Sequence, residues 1–217
     1  MSKSDVFNMD CMDYLKQCRD KEFDLAIVDP PYGVEKMTGK EFAHGRGKLK
    51  QRIFNRDADK INEWDEAPTE EYWKELFRIS KYQIIWGENY FPLPPYRCIV
   101  VWDKMQPFPN FSAVEIAWTN FNEPSKLFRF DNRYSGKIHP TQKPVELYKW
   151  LLSKYAEHGW SIIDTHLGSG SIRIACYDMG FDFVGIEIDK EYFEKQEKRF
   201  KEYTAQIQLF EPRELFS

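Results

Sequence analysis

Residues 24–32 of the chain read Asp24-Leu25-Ala26-Ile27-Val28-Asp29-Pro30-Pro31-Tyr32. The apolar run that opens this stretch predicts a buried strand, and two successive prolines fix φ and stiffen the turn that ends it. Asp29 and Tyr32 are therefore expected at the carboxyl end of the strand, where open α/β sheets bind their ligands. A carboxylate, a backbone carbonyl and an aromatic face together suit a planar base that carries an exocyclic amino group. An ordinary strand-ending turn is the alternative, because Asp and Pro are common in turns.

Strands and helices alternate on both sides of this turn. Strands are predicted over residues 6–9, 24–28, 82–86, 98–102, 113–118, 161–164 and 183–187, with a further short strand considered near 127–130. Helices are predicted over about 11–19, 70–80, 144–157, 171–179 and 190–203. The alternation predicts one α/β domain over residues 1–217, with a mostly parallel sheet and helices on both of its faces.

The composition fits one folded domain of 217 residues, of which 42% are hydrophobic. The net charge of −4 is weak evidence against a nucleic-acid partner, although the distribution of charge matters more than its total. Aromatic residues make up 17% of the chain, and this high share leaves rings available to stack on bases.

Cysteine spacing and the N-terminal segment bear on the cellular compartment. No two of the four cysteines have the spacing of a metal clip or of a CxxC redox pair, so no zinc site is expected. The first residues form no apolar signal region, and no apolar run reaches membrane-spanning length. The prediction is a cytoplasmic protein with reduced thiols and no membrane contact.

Two segments combine irregular sequence with basic side chains. Residues 34–62 lack apolar periodicity, and Glu41 is the lone acid within residues 36–56. The basic side chains there are Lys36, Lys40, Arg46, Lys48, Lys50, Arg52 and Arg56. A glycine-interrupted basic loop beside Asp29 is expected to close over phosphates, with a solvated charged loop as the alternative. The second segment, at about 119–143, carries Lys126, Arg129, Arg133, Lys137 and His139.

A glycine-rich turn follows a predicted strand and opens a helix, and it reads Asp164-Thr165-His166-Leu167-Gly168-Ser169-Gly170-Ser171. Its glycines let a ligand approach the backbone closely. The dinucleotide fingerprint needs a third glycine, but position 173 is Arg, so a pyrophosphate ligand is disfavoured. Glu187, at the end of the next strand, suits ribose hydroxyls. These features fit a nucleoside without pyrophosphate, such as S-adenosylmethionine, and an ordinary tight turn is the alternative.

On these motifs the chain resembles the beta class of DNA amino-methyltransferases, which methylate adenine N6 or cytosine N4. Residues 29–32 match the catalytic motif of the class, and residues 164–170 match its cofactor loop. The segment that precedes this loop in the class is matched by His139-Pro140-Thr141-Gln142-Lys143-Pro144. The catalytic motif comes before the cofactor loop, which is the circularly permuted order of the class. The resemblance implies a doubly wound, mostly parallel seven-stranded sheet and S-adenosylmethionine as cofactor.

The resemblance also implies roles for individual residues. The cofactor-binding set is Asp10, Asp29, Lys143, Asp164, His166, Gly168, Ser169, Gly170, Ser171 and Glu187. Within it, Asp164 and the glycine turn would hold the methionine end of the cofactor, in a pocket lined by Lys143. Glu187 would bind the ribose hydroxyls.

The sequence departs from the class in two places. Thr165 and His166 replace the usual Pro-Phe. His166 would therefore stack on the cofactor, hydrogen-bond to it, or pack beneath the loop. Asp10, which would contact the adenine end, follows Met9 where the class usually has glycine.

The implied reaction is direct in-line methyl transfer to the exocyclic N6 of adenine in double-stranded DNA. The catalytic residues would be Asp29, Pro30, Pro31 and Tyr32. The Asp29 carboxylate and the Pro30 carbonyl would accept the two amino hydrogens and turn the nitrogen lone pair toward the methyl group. The base must first flip out of the duplex, and Tyr32 would then stack on it.

DNA contacts are expected from Arg46, Lys48, Lys50, Arg52, Arg133 and Lys137. The resemblance places target recognition in the short insertion at about 119–143, which predicts a brief recognition sequence. A monomer and a homodimer both stay open.

Several other functions fit part of the pattern. Asp rather than Ser at position 29 favours adenine in this class, and cytosine N4 stays an alternative. Methylation of RNA, an inactive cofactor-binding subunit and a dinucleotide oxidoreductase are further alternatives. The intact catalytic turn weighs against an inactive subunit, and the missing third glycine weighs against an oxidoreductase.

Overall fold

The computed structural model describes residues 2–33, 66–106, 112–131, 138 and 142–210, with side chains up to residue 206. Within these ranges, no helix is long and apolar enough to cross a membrane. The same ranges hold no group of three or more His, Cys, Asp or Glu side chains placed to bind a metal ion. The basic loop predicted at 34–62 lies outside the described residues.

The described chain forms one sheet flanked by helices. The strands are β1 (Ser4–Asn8), β2 (Phe23–Val28), β3 (Ser80–Trp86), β4 (Cys98–Asp103), β5 (Val114–Thr119), β6 (Lys126–Arg129), β7 (Ser161–Asp164) and β8 (Asp182–Glu187). The helices are α1 (Cys11–Leu15), α2 (Glu70–Ile79), α3 (Val145–Tyr155), α4 (Ser171–Met179) and α5 (Lys190–Phe210), with a 3₁₀ turn at Glu88–Tyr90.

The order of strands across the sheet is β1-β8-β7-β2-β3-β5-β4-β6. Strand β5 runs antiparallel to both of its neighbours, β3 and β4. All other neighbouring strands pair in parallel. The predicted α/β class with a mostly parallel sheet is confirmed. The predicted number of seven strands is wrong for the described residues, which form eight.

The additional strand is β6, in the segment where a short strand was considered. It pairs in parallel with β4, with Val100 opposite Lys126 and Asp103 opposite Arg129. Phe128 of β6 packs against Trp150 of α3, with ring centroids 5.3 Å apart. The pairing and this packing hold the segment as an edge strand, even though two of its four residues are basic.

Strand β2 shows why both faces of the sheet carry helices. Leu25 and Ile27 belong to a core cluster that also contains residues of α3 and α4. Ala26 and Val28, which point to the opposite face, belong to a second cluster with residues of α1 and α2. All four side chains are at most 1% exposed, so β2 is buried on both faces, as a central parallel strand must be. This confirms the doubly wound arrangement.

Helix α1 is shorter than the predicted helix over residues 11–19. It ends at Leu15, and Arg78 of α2 binds the carbonyl oxygens that follow. The guanidinium donates to the carbonyl of Leu15 at 2.9 Å and to that of Cys18 at 2.8 Å. Because these hydrogen bonds satisfy carbonyl groups at the helix end, the chain can leave the helix early.

Candidate active site

The predicted site residues gather at the carboxyl edge of four neighbouring strands. β1, β8, β7 and β2 are adjacent in this order. Asp10 follows β1, Glu187 ends β8, Asp164 ends β7 and Asp29 follows β2. The topology therefore brings four carboxylates that are far apart in sequence to one end of the sheet.

Both carboxylate oxygens of Asp29 already have hydrogen-bond donors. The hydroxyl of Tyr32 donates to Oδ1 at 2.9 Å. The ammonium group of Lys143 donates to Oδ2. The Lys143 side chain is only 2% exposed, so this contact is shielded from water. Each carboxylate oxygen can accept a further hydrogen bond, and Asp29 therefore keeps the capacity to receive an amino hydrogen.

Lys143 joins Asp29 to a second acid. Its Nζ lies 3.0 Å from Oε2 of Glu115, and Oε1 of Glu115 lies 2.5 Å from Nζ of Lys104. Burial on its own lowers the pKa of Lys143, but the carboxylates of Asp29 and Glu115 outweigh it, and the net pKa is raised. Burial acts to raise the pKa of Glu115, while Lys143 and Lys104 lower it overall. Lys143 and Glu115 are therefore both charged at neutral pH.

Aromatic residues surround the Tyr32 ring. Tyr90 stacks on it with ring centroids 4.6 Å apart and planes 13° apart, and Phe91 approaches edge-on at 6.0 Å. Gly87, which has φ +81°, lies so close that a Cβ atom there would be 2.3 Å from Cε1 of Tyr32. A larger residue at position 87 would thus displace the ring. Tyr90 is 47% exposed, so the stack opens to solvent.

The acid and the histidine of the glycine-rich turn, residues 164–171, are both held by neighbours. Oδ1 of Asp164 accepts the His166 amide at 2.9 Å, and burial raises the Asp164 pKa to about 8. Burial lowers the pKa of His166 to about 4, so its ring is neutral near pH 7. Its Nδ1 lies 2.9 Å from Oγ1 of Thr165, which lies 2.7 Å from the Tyr72 hydroxyl. Of the three roles left open for His166, packing is supported by the edge contact with Tyr72 at 5.5 Å.

Glu187 organises the glycine turn. Its Oε2 accepts the amide of Gly168 at 2.7 Å, and its Oε1 accepts the amide of Asp189 at 2.9 Å. Gly168 and Gly170 have φ of +52° and +69°, which only glycine adopts without strain. Burial raises the pKa of Glu187. One lone pair stays available on each oxygen, so the carboxylate can hold the turn and still accept hydroxyl donors.

The two serines of the turn face the protein. Their hydroxyl oxygens lie 3.1 Å apart. Arg199 of α5 donates to the Ser169 carbonyl at 2.8 Å and to the Ser171 hydroxyl at 3.0 Å. Asp10 caps α1, because its Oδ1 accepts the Met12 amide at 2.7 Å. These contacts give the predicted residues structural roles and do not test their part in binding.

The residues present fit S-adenosylmethionine by their chemistry. The sulfonium and amino groups of this cofactor are cationic and would favour the charged form of Asp164, whereas Asp10 and Glu187 offer acceptors for amino and hydroxyl hydrogens. The left-handed glycines keep the turn free of β-carbons next to these acids. The predicted DNA-contacting residues Arg46, Lys48, Lys50, Arg52, Arg133 and Lys137 lie outside the described residues, as do His139, Pro140 and Thr141.

The sequence reasoning missed Glu115 and Lys104, and it placed Lys143 in the methionine pocket without seeing its contact with Asp29. One signal for Glu115 was available, because an acid interrupts the apolar run Val114-Glu115-Ile116-Ala117-Trp118. A charge inside such a strand calls for a partner. The identity of that partner depends on strand order, which the local sequence does not carry.

Known proteins share both sequence and fold with this chain. Residues 85–198, more than half of the 217, match the family model N6_N4_Mtase, described as DNA methylase. The type II methyltransferase M2.DpnII of Streptococcus pneumoniae is 22% identical over 254 aligned positions, covering 92% of this chain and 90% of the relative. The type II methyltransferase M.HpaI of Haemophilus parainfluenzae is 32% identical over 80 residues, covering 35% of this chain and 26% of the relative.

Two solved structures show the same fold at low identity. The structure described as an M1.HpyAVI–SAM complex has a TM-score of 0.57 and 20% identity, covering 90% of this chain and 98% of that one. The PvuII DNA methyltransferase, described as cytosine-N4-specific, has a TM-score of 0.59 and 12% identity, covering 92% of this chain and 87% of that one. At these identities the likeness concerns the fold alone.

Proposed function

The chain belongs to the N6_N4_Mtase family of DNA methylases, which use S-adenosylmethionine, and we propose that within this family it methylates adenine N6 at a specific site in double-stranded DNA. The observation that carries the proposal is the Asp29 carboxylate, which is held by Tyr32 and Lys143 beside the cofactor turn. An acid at this position favours adenine in the class that the chain resembles. The fold does not discriminate, because the PvuII enzyme is described as cytosine-N4-specific.

Asp29 has the chemistry that activates an exocyclic amine. The lone pair of such an amine is delocalised into the ring, so the nitrogen is a poor nucleophile. Acceptance of one amino hydrogen by Asp29 and the other by the Pro30 carbonyl would localise this lone pair and orient it. When bound, the cofactor supplies the methyl group and its leaving sulfur. The rate enhancement would come from positioning and from the negative charge that faces the amine.

Tyr32 is proposed to receive the target base. Extrusion of a base from the duplex costs a few kcal/mol, and stacking on an aromatic side chain returns about 1–3 kcal/mol. In the structure, Tyr90 stacks on this ring at 4.6 Å, a separation that leaves no space for a base between the two rings. A base that stacks on the same face must therefore move Tyr90.

The cofactor residues are proposed on the basis of their shared location. Glu187 would bind the ribose with its remaining lone pairs, and Asp10 would face the adenine end. Asp164 and the backbone of Gly168–Gly170 would hold the methionine end. Ser169, Ser171, His166 and Lys143 keep their proposed place around this pocket, although their contacts in the structure are with protein groups.

The proposed contacts with DNA involve residues outside the described part of the chain. The basic side chains between Arg46 and Arg52, together with Arg133 and Lys137, would bind phosphates near the site. Recognition of a brief sequence by residues 119–143 and assembly as a homodimer stay predictions. Sequencing of methylated positions checks the first, and gel filtration with light scattering checks the second.

A direct assay tests the reaction and the role of Asp29. Purified wild type, Asp29→Ala and the control Glu157→Ala, an exposed acid near the opposite end of β7, are incubated with labelled S-adenosylmethionine and unmethylated duplex DNA. Nucleoside digestion and mass spectrometry identify the product. N6-methyladenine from wild type and the control, but not from Asp29→Ala, supports the proposal. N4-methylcytosine overturns the choice of base, and methyl transfer to RNA alone overturns the choice of DNA.

A further inference from the structure

A chain of alternating charges leads from the catalytic turn into the protein. Its members are Asp29, Lys143, Glu115 and Lys104, on four separate parts of the chain. Lys143 binds Oδ2 of Asp29 on one side and lies 3.0 Å from Oε2 of Glu115 on the other. Lys104 lies 2.5 Å from the second oxygen of Glu115. The ammonium group of Lys143 is therefore shared between two acids.

The middle of this chain is shielded from solvent. The Lys143 side chain is 2% exposed and its ammonium group lies 5.1 Å from the centre of the Trp86 ring. The Glu115 side chain is 24% exposed, but its Oε2 atom is buried, and its contact with Lys143 is an ion pair without hydrogen-bond geometry. Water therefore screens this pair weakly, and each charge depends on its neighbours.

Because Lys143 lies between two acids, Glu115 influences how far Lys143 neutralises Asp29, and so how much negative charge faces a substrate. With Lys143 alone, Asp29 would form a neutral pair. With Glu115 included, the positive charge of Lys143 is divided between two acids, while Lys104 offsets Glu115 on its far side, so the four groups together are neutral. Methyl transfer to an amine places positive charge on nitrogen before a proton leaves, so an Asp29 carboxylate that Lys143 neutralises only in part favours the transition state.

We propose that Glu115 is a positioning residue for methyl transfer: it holds Lys143 against Oδ2 of Asp29 and shares its charge, so that Asp29 is fixed in orientation and only partly neutralised toward the amine. The inference rests on the proposed function of Asp29. It does not depend on the choice between adenine and cytosine, because either exocyclic amine develops the same charge.

The test variant is Glu115→Gln, which keeps the shape of the side chain and removes its charge. We expect kcat to fall about 10- to 100-fold, while KM for DNA and the Kd for S-adenosylhomocysteine stay within about threefold of wild type. Glu115→Asp retains the charge at a shorter reach and is expected to recover part of the rate. Glu202→Gln, which breaks an exposed Lys–Glu pair on α5, is the matched control and should behave as wild type.

The pH profile separates positioning from a purely structural role. Glu115 raises the pKa of Lys143, so its loss lowers that pKa and lets Lys143 lose its proton at lower pH. The alkaline limb of kcat should therefore move to lower pH in Glu115→Gln, and not in Glu202→Gln. A loss of melting temperature alone, with kcat per folded molecule unchanged, overturns the proposal.

The remaining outcomes are also decisive. A raised Kd for S-adenosylhomocysteine with unchanged kcat would make Glu115 a cofactor-site residue and overturn the proposal. If Glu115→Gln does not fold, Glu115→Asp tests the proposal. A wild-type rate and pH profile for Glu115→Asp would overturn it, because the shorter side chain should no longer hold Lys143 in place. If the wild type transfers no methyl group to any nucleic acid, the proposed function itself is refuted. If the wild type is active, the rates of the variants relative to it test only the role of Glu115.

Discussion

The hydroxyl of Tyr32 donates a 2.9 Å hydrogen bond to Oδ1 of Asp29, three residues before it. The tyrosine is therefore more than a stacking surface, because it also orients the carboxylate that would accept the amino hydrogen. Burial raises the pKa of Tyr32 well above its ordinary value, so the phenol keeps its proton and acts as donor throughout the working pH range.

Tyr32→Phe removes the hydroxyl and keeps the ring, so it separates orientation of the Asp29 carboxylate from stacking on the base. A hydrogen bond to a charged group contributes about 1.5–3 kcal/mol, so we expect kcat to fall by about tenfold or more. KM for DNA should change little, because the ring still stacks. Steady-state kinetics with Tyr90→Phe as control, which removes a hydroxyl from the neighbouring ring, checks this. Equal kinetics for Tyr32→Phe and wild type would contradict the orienting role.

Gly87→Ala should disturb the site through Tyr32. Gly87 and Gly180 have φ of +81° and +76°, so alanine at either position carries a similar backbone strain of about 1–2 kcal/mol. A Cβ at Gly87 would lie 2.3 Å from Tyr32, whereas a Cβ at Gly180 has no atom within 4 Å. We expect both variants to lose stability in urea unfolding and only Gly87→Ala to lose kcat. Similar kcat values for the two would refute the steric argument.

Glu187→Gln should weaken cofactor binding. The glutamine side chain offers one oxygen in place of two, so it loses the hydrogen bond from Gly168 or that from Asp189 and leaves fewer acceptors for a ribose. We expect the Kd for S-adenosylhomocysteine, measured by calorimetry, to rise at least about tenfold. Glu194→Gln, an exposed substitution on α5, is the control. An unchanged Kd would remove Glu187 from the cofactor site.

His166→Phe should change how stability depends on pH. The pKa of His166 is about 4 in the folded protein and about 6.5 in an unfolded chain. Its depressed pKa means that stability is fully present above pH 6.5 and is lost as the pH falls toward 4. Relative to the phenylalanine variant, wild type should lose about 2 kcal/mol between pH 7 and pH 5. Equal differences in unfolding free energy between wild type and His166→Phe at the two pH values, measured in urea, would contradict a neutral, partly buried His166.

Much of this molecule follows from local sequence. Residues 25–28 are all apolar, which predicted a buried strand with Asp29 at its end, and β2 confirms the strand. The glycines at 168 and 170 predicted a turn between a strand and a helix, which the structure places between β7 and α4, and both glycines have positive φ. The number of strands was wrong, because β6 depends on pairing with β4 rather than on its own four residues.

The chemistry of Asp29, by contrast, depends on residues that no local pattern connects. Its partner Lys143 is 114 residues away, and Glu115 enters only because β5 reverses direction beside β3 and β4. Periodicity and turn composition report on neighbours within a few residues, so they identify strands, turns and candidate acids. Which charges meet is decided by strand order and register, since only the folded sheet brings a lysine between two carboxylates and shields that lysine from water.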